Sequence, residues 1–297
     1  MSEKAALRGT LTRGIGSFYT VRTPSGETFT VRAKKKFRHQ KMTPLVGDEV
    51  LFLPGSGEED GWLEEILPRR SECIRPPVAN VSLLMLVVAP EPEPDLLLMD
   101  RLILTAYRQQ MKVCMVVTKS DLDPALYETL CEQYSRSGVQ VIRASSMTGE
   151  GLEDVRHVMR KETCCLAGQS GAGKSTMLNA LFDLKQETGD ISDRIRRGKN
   201  TTRKAELFVQ DDIRILDTAG FSLLEMEEIM DPVEVRLLYP EFQEYEGTCR
   251  FEPCLHDREP GCSVSAAVAQ GELNEERVKR YRALLSEIRE RWKGRYD

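Results

Sequence analysis

The sequence predicts a doubly wound α/β domain set between a small N-terminal β-barrel and a mostly helical, cysteine-bearing C-terminal segment. Three patterns predict it. Residues 1–72 carry short stretches in which apolar and polar residues alternate, the period of half-buried strands. From Val78 onward, continuous apolar runs alternate with segments of helical spacing. After about Asp231, cysteines and a histidine cluster ahead of a highly charged helix.

Composition narrows the class. A chain of 297 residues is long enough for two or three domains, and 40% hydrophobic with 30% charged residues is an ordinary globular balance. No apolar run reaches the roughly eighteen residues of a membrane-spanning helix. The N-terminal MSEKAALRGTLTRG lacks the apolar core of a signal peptide. The expectation is a cytoplasmic protein with no membrane role. In that setting the eight cysteines point to metal binding or burial rather than disulfides. A formal net charge of −5 excludes a globally basic nucleic-acid binder. Charge is uneven, however: no acidic residue lies between Glu27 and Asp48, a stretch holding Arg32, Lys34, Lys35, Lys36, Arg38 and Lys41. Such a stretch can form a local basic surface.

The N-terminal stretch GTLTRGIGSFYTVRTPSGETFTVRA alternates and is broken at Pro24-Ser25-Gly26, a hairpin signal. VGDEVLFLPG and GWLEEILP add strand candidates. Five or so short strands suggest a small barrel, and an OB-fold or an SH3-like barrel fits the pattern equally. VSLLMLVVAP is apolar throughout, as for a strand buried on both faces, and LLLMDRLILTAYRQQ follows at helical spacing. VCMVVTKSD, ALYETLCEQYSRSG, VQVIRASS, GLEDVRHVMR and TCCLAGQSGAGKSTMLNALF continue the alternation, and AELFVQ and IRILDTAG add two strands. The α/β domain therefore covers residues 73–228, and the C-terminal segment covers 229–297.

Gly168-Gln169-Ser170-Gly171-Ala172-Gly173-Lys174-Ser175 fits G-x-x-x-x-G-K-[ST] completely, with an apolar strand before it and a helix after. The glycines let successive N–H groups turn toward phosphate oxygens, and the helix adds its positive N-terminal end. Lys174 is expected to reach the β- and γ-phosphates and Ser175 to ligate Mg²⁺. Thr176 completes the nucleotide-binding stretch. Beyond it, Asp217-Thr218-Ala219-Gly220 ends a strand. Asp217 would stand near the Mg²⁺ water shell, and the Gly220 N–H could meet the γ-phosphate. Between them lies Gly198-Lys199-Asn200-Thr201-Thr202-Arg203. Thr202 is the preferred residue to close over Mg²⁺, because Thr-Arg pairs occupy this place in related GTPases; Thr201 is the alternative, and an ordinary basic loop the bland reading.

Thr118-Lys119-Ser120-Asp121 resembles the N-K-x-D signature of GTPases, in which the aspartate accepts from guanine N1–H and the 2-amino group and the lysine stem packs along the purine. Ser145-Ser146 resembles the S-A-K element, whose backbone N–H meets guanine O6. Threonine replaces the usual asparagine at 118, losing the amide that ties the base loop to the phosphate loop. Base-reading motifs thus precede the phosphate loop, and the order resembles a circularly permuted GTPase. Permutation leaves a sheet intact when the old termini lie close together.

Cys249, Cys254, His256 and Cys262 place three thiols and an imidazole within one short loop bearing Pro253, Pro260 and Gly261. Cys₃His is a tetrahedral Zn²⁺ set, and the lack of a neighbouring base suggests a structural site. Clustering of buried cysteines by chance is the competing reading.

Together, TKSD, SS, GQSGAGKST, TTR, DTAGF and CxxxxCxHxxxxxC resemble the ribosome small-subunit-dependent GTPase A (RsgA) family over essentially the whole chain. The resemblance implies an N-terminal OB-fold that binds RNA and GTP hydrolysis to GDP stimulated by the small ribosomal subunit. It also implies a role in late maturation of that subunit, with contacts to its rRNA. Residues 32–41 and the terminal helix become candidate rRNA contacts, a solvated face being the alternative. Phe221 stands where many GTPases carry a water-positioning glutamine, as in hydrophobic-substituted GTPases. Asn200 stands where family members typically have a histidine linked to catalysis; asparagine can hydrogen-bond water but cannot take its proton, so slow intrinsic turnover is expected. Nothing in the sequence demands a dimer. A small-molecule kinase and a GTP-gated RNA-binding module with little hydrolysis are the alternatives.

Overall fold

The computed structural model describes residues 5–40, 42–55, 59–74, 76–182, 205–217 and 230–294. Its first five strands are β1 (Leu7–Ile15), β2 (Phe18–Arg22), β3 (Thr28–Ala33), β4 (Glu49–Leu53) and β5 (Gly61–Ile66), with helix α1 (Lys35–His39) between β3 and β4. β1 pairs antiparallel with both β2 and β4, β2 with β3, and β4 with β5. β3 skips β4 to pair with β5 in parallel. The ring closes, and the skipped strand is the Greek-key step of an OB-fold. Alternate residues fill its interior: Leu11, Val21, Val31, Val50, Phe52 and Leu63, with Phe37 of α1 as the plug. The sequence reading marked one break in the first stretch, and the structure has two. The second is the two-residue turn at Gly16-Ser17, where Gly16 takes the left-handed φ of +62° that such hairpins need.

A ribbon of β6 (Glu72–Cys73) and β7 (Val78–Ala79) leads out of the barrel. Here Gly47, at φ +95°, lies so close to the Ala79 carbonyl that a Cβ would sit 2.1 Å from the oxygen. The fully buried Asp48 carboxylate is forked by Arg69, with Nε at 2.7 Å from Oδ1 and Nη2 at 2.9 Å from Oδ2.

The α/β domain contains β8 (Leu83–Val88), α2 (Leu96–Arg108), β9 (Lys112–Val117), α3 (Pro124–Tyr134), β10 (Gln140–Arg143), α4 (Leu152–Met159), β11 (Thr163–Ala167), α5 (Lys174–Phe182), β12 (Glu206–Gln210) and β13 (Ile213–Asp217). β10, β9, β8, β11 and β13 lie side by side in parallel, and β12 adds an antiparallel strand. Among the described residues, the pairing of Arg13 with Glu206 joins β12 to β1 of the barrel. All six residues of β8 are buried, because both faces are covered. Leu84, Leu86 and Val88 pack with Met99, Leu102 and Leu130 of α2 and α3. Met85 and Val87 pack with Val155, Met159 and Met177 of α4 and α5.

From β8 the chain steps outward to β9 and β10, and from β11 it steps the other way to β13. The C-terminal ends of β8 and β11 thus flank the topological switch point, where open α/β sheets bind ligands.

The C-terminal segment holds α6 (Pro232–Val235), two 3₁₀ turns (Arg236–Leu238 and Pro240–Tyr245), α7 (Ser263–Ala269) and α8 (Glu275–Lys293). Tyr239, Phe242 and Tyr281 centre its core, with ring centroids 4.8–5.2 Å apart. The charged helix read from the sequence, α8, docks one face on α2 and α3 and keeps the other exposed. Arg277, 2% exposed, reaches Asp100 Oδ1 at 2.5 Å and Glu241 Oε1 at 2.9 Å. Arg280 Nε donates to Asp100 Oδ2 at 2.6 Å, and the Tyr134 hydroxyl donates to Asp100 Oδ1 at 2.5 Å. Among the described residues, no helix is long and apolar enough to cross a membrane.

Candidate functional site

Three loops converge at the switch point. The loop after β11 is shaped by glycine. Gly168 has φ +136° and presses on β8, where a Cβ would lie 2.2 Å from the Val87 carbonyl oxygen. Gly171 and Gly173 take φ of +85° and +89°. Ser170, just before them, is exposed, and Ala172, between them, is buried. The Gln169 side chain accepts from the Asp95 N–H at 2.9 Å, which pins this loop to the Asp95 N-cap of α2. Lys174 starts α5. Its ammonium donates to the Gly168 and Gln169 carbonyls, both at 2.7 Å, so the charge sits inside the loop. Burial holds that ammonium's pKa below the usual lysine value. Ser175 and Thr176 are exposed on the first turn of α5, where N–H groups lack intrahelical partners. The arrangement presents backbone donors, a helix N-terminus and one cation to a single point, which is suited to phosphate oxygens.

The loop after β9 carries Thr118 to Asp121. The buried Thr118 hydroxyl lies 2.5 Å from the Ala172 carbonyl and 3.0 Å from that of Val88, and its one proton serves the nearer. Threonine therefore keeps the tie to the phosphate loop that the missing amide would otherwise supply. Lys119 adopts a left-handed φ of +53°, and its ammonium donates to the Glu91 carbonyl at 2.6 Å. Ser120 is buried, and its N–H donates to the Ala144 carbonyl at 3.4 Å.

After β10, the Ser145 hydroxyl donates to Asp121 Oδ1 at 2.6 Å. It also accepts from the N–H groups of Met147 and Thr148, each at 3.3 Å. The Asp121 carboxylate is thus oriented by the next loop. Ser146 follows at the rim, half-buried, and its N–H has no partner among the described residues.

Asp217 closes β13 in register with Glu206. Asn200, Thr201, Thr202, Arg203, Gly220 and Phe221 lie outside the described residues. Sequence reasoning missed Glu91 and Asp95, which hold Lys119 and Gln169 from the loop after β8. Their contacts use one backbone carbonyl and one backbone N–H, which no residue pattern advertises.

The cysteine cluster assembles as expected. The donor atoms of Cys249, Cys254, His256 and Cys262 all lie within 4.8 Å of one another. His256 Nδ1 faces the Cys249 sulfur at 3.6 Å and the Cys262 sulfur at 3.5 Å. Backbone N–H groups point at the sulfurs: Ser263 to Cys249 at 3.3 Å, His256 to Cys254 at 3.4 Å, and Ser265 to Cys262 at 3.5 Å. Burial raises the Cys249 thiol, but the donors around it, led by the Ser263 N–H, outweigh that and leave its pKa lowered. Burial pushes Cys254 up to about 12. Three thiols, an imidazole nitrogen and converging amides fit a tetrahedral thiophilic cation such as Zn²⁺.

The basic stretch is partly self-neutralised: Arg32 pairs with Asp60 at 2.8 Å and Lys34 pairs with Glu64.

Comparisons with known proteins agree with this geometry. The RsgA GTPase family profile matches residues 66–227, and the RsgA N-terminal domain profile matches residues 8–63. A protein of Agathobacter rectalis named small ribosomal subunit biogenesis GTPase RsgA is 37% identical over 302 residues, covering 97% of this chain and 100% of the relative. The protein of that name from Geobacillus thermodenitrificans is 39% identical, with 97% and 99% covered. Among solved structures, YjeQ of Thermotoga maritima superposes with a TM-score of 0.82 at 30% identity, covering 96% of this chain and 99% of that one. YloQ, described as a circularly permuted GTPase, gives 0.81 at 28% identity, covering 98% and 97%.

Proposed function

The chain belongs to the RsgA GTPase family, and from that premise we propose that it hydrolyses GTP in the biogenesis of the small ribosomal subunit. One observation carries the nucleotide reading: the hydroxyl of Thr118 binds the base-reading loop to the phosphate loop at Ala172, beside an Asp121 carboxylate held by Ser145. A base acceptor and a phosphate cradle are thereby fixed relative to each other, as a purine nucleotide requires.

In this reading Asp121 accepts from guanine N1–H and the 2-amino group, the Ser146 N–H serves O6, and the Lys119 stem covers the ring. The N–H groups of residues 168–176 hold the phosphates, and Lys174 balances charge on the β- and γ-phosphates. Ser175 and Thr202 would ligate Mg²⁺, which neutralises phosphate charge when bound with GTP. Asp217 supports its water shell, and the Gly220 N–H meets the γ-phosphate. Phosphoryl transfer through a loose transition state depends mainly on positioning, so Asn200 can orient water without acting as its base. The four ligands from Cys249 to Cys262 hold a structural Zn²⁺. Residues 1–72, 73–228 and 229–297 serve as RNA-binding barrel, permuted GTPase and zinc-binding unit. The barrel and C-terminal unit contact rRNA of the small subunit, and the protein works as a cytoplasmic monomer.

The test is GTP turnover by the purified protein alone and with small subunits, with large subunits and ATP as controls. Slow turnover alone, stimulated only by small subunits and only with GTP, is the expected result. Equal turnover of ATP, or no response to small subunits, contradicts the proposal.

A further inference from the structure

The nitrogen of His256 that faces away from the sulfurs has its own environment. Nε2 is buried and lies 3.5 Å from Glu246 Oε1. Among the described residues, neither atom has a hydrogen-bond partner. The other oxygen, Oε2, is held in an ion pair by Arg236, from the 3₁₀ turn Arg236–Leu238. A neutral imidazole has one N–H and one lone pair. If Nδ1 gives its lone pair to a metal, the proton is on Nε2, and inside this core it needs an acceptor. Glu246 is placed to be that acceptor, and Arg236 prevents the carboxylate from turning away.

We propose that Glu246, clamped by Arg236, is the positioning residue that fixes His256 in the Nε2–H tautomer, so that Nδ1 ligates zinc. The inference rests on the zinc reading of the Cys₃His cluster. It has a consequence for communication. All four ligands lie between residues 249 and 262, whereas Arg236 belongs to the segment that arrives from the GTPase domain, nineteen residues beyond Asp217. Metal binding and docking of that segment then share one ion pair, and each stabilises the other by linkage.

The test uses the full chain, titrated with zinc against a chromophoric chelator, with the His256 tautomer read by long-range ¹H–¹⁵N correlation. Wild type is expected to show the Nε2–H tautomer. Glu246→Ala should lower zinc affinity about 10–100-fold, the usual scale for an outer-shell partner. Glu246→Gln, which keeps an acceptor oxygen, should retain the tautomer and most of the affinity. Arg236→Met should weaken zinc although no ligand is touched. Binding of a fluorescent GDP analogue, which reports folding of the GTPase domain, should be unchanged in all three. An Nδ1–H tautomer in wild type, or a Glu246→Ala protein that holds zinc as wild type does, overturns the inference while leaving zinc binding intact. Wild-type protein that takes up no zinc overturns the zinc reading and this inference with it.

Discussion

The nucleotide crevice and the seam beneath α8 are both places where distant parts of the chain are tied together, and they are tied by opposite means. In the crevice the ties are light: one buried threonine hydroxyl, one exposed glutamine oxygen and a half-buried lysine on two carbonyls. In the seam they are buried charges. Asp100 is fully buried and receives two arginines and a tyrosine hydroxyl, and the Arg277 guanidinium also stacks 4.5 Å from the Tyr239 ring centroid. Burial opposes the charge on Arg277, but Asp100, Tyr239 and Glu241 outweigh it and hold its pKa above the ordinary arginine value. A site that must admit and release a ligand uses bonds that break cheaply. A seam that keeps a domain in place uses groups that cannot be left unpaired.

The sharpest way to break this contrast is Arg277→Met, which strands Glu241 and leaves Asp100 one partner short. The expected loss is about 3–5 kcal/mol in chemical unfolding, with GDP affinity unchanged. A variant as stable as wild type would erase the distinction. Lys174→Ala makes the converse case: turnover should fall by about 10²–10³-fold, the scale for loss of one preorganised donor, while the unfolding midpoint stays put. Thr118→Val removes the tie between loops and nothing larger. It should weaken nucleotide binding by about 0.5–1.5 kcal/mol in a competition assay, and Thr118→Asn should restore it. The smallest effect belongs to the seam's rim. The Arg101–Glu287 pair, 2.6 Å long, is more than a third exposed on both sides, so Arg101→Ala should cost only about 0.2–1 kcal/mol.

The same contrast explains what could be read from the sequence. The phosphate loop, TKSD and the serine pair were legible because their chemistry lies in short contiguous stretches, where glycine spacing dictates backbone shape. The clustering of Cys249, Cys254, His256 and Cys262 was legible for the same reason. The seam was not, because Asp100, Tyr134, Glu241, Arg277 and Arg280 come from four separate elements, and each alone looks like an ordinary surface residue. The barrel was half legible. Strand alternation showed its existence, but the choice between barrel types needed the β3–β5 pairing, a contact between non-consecutive strands. The Gly16-Ser17 turn was hidden because strand-like residues flank it without interruption.

The most direct measurement is the nucleotide preference of Asp121→Asn. Aspartate offers two acceptors to guanine's two donors. Asparagine turns one acceptor into a donor and so matches xanthine, which carries a carbonyl where guanine has its amino group. The amide oxygen can still receive the Ser145 hydroxyl, so the loop need not collapse. With small ribosomal subunits present, the account predicts that this variant loses GTP turnover and gains turnover of xanthosine triphosphate, ATP staying inert in both proteins. A variant that hydrolyses GTP as wild type does would show that Asp121 does not read the base, and the guanine site would have to lie elsewhere.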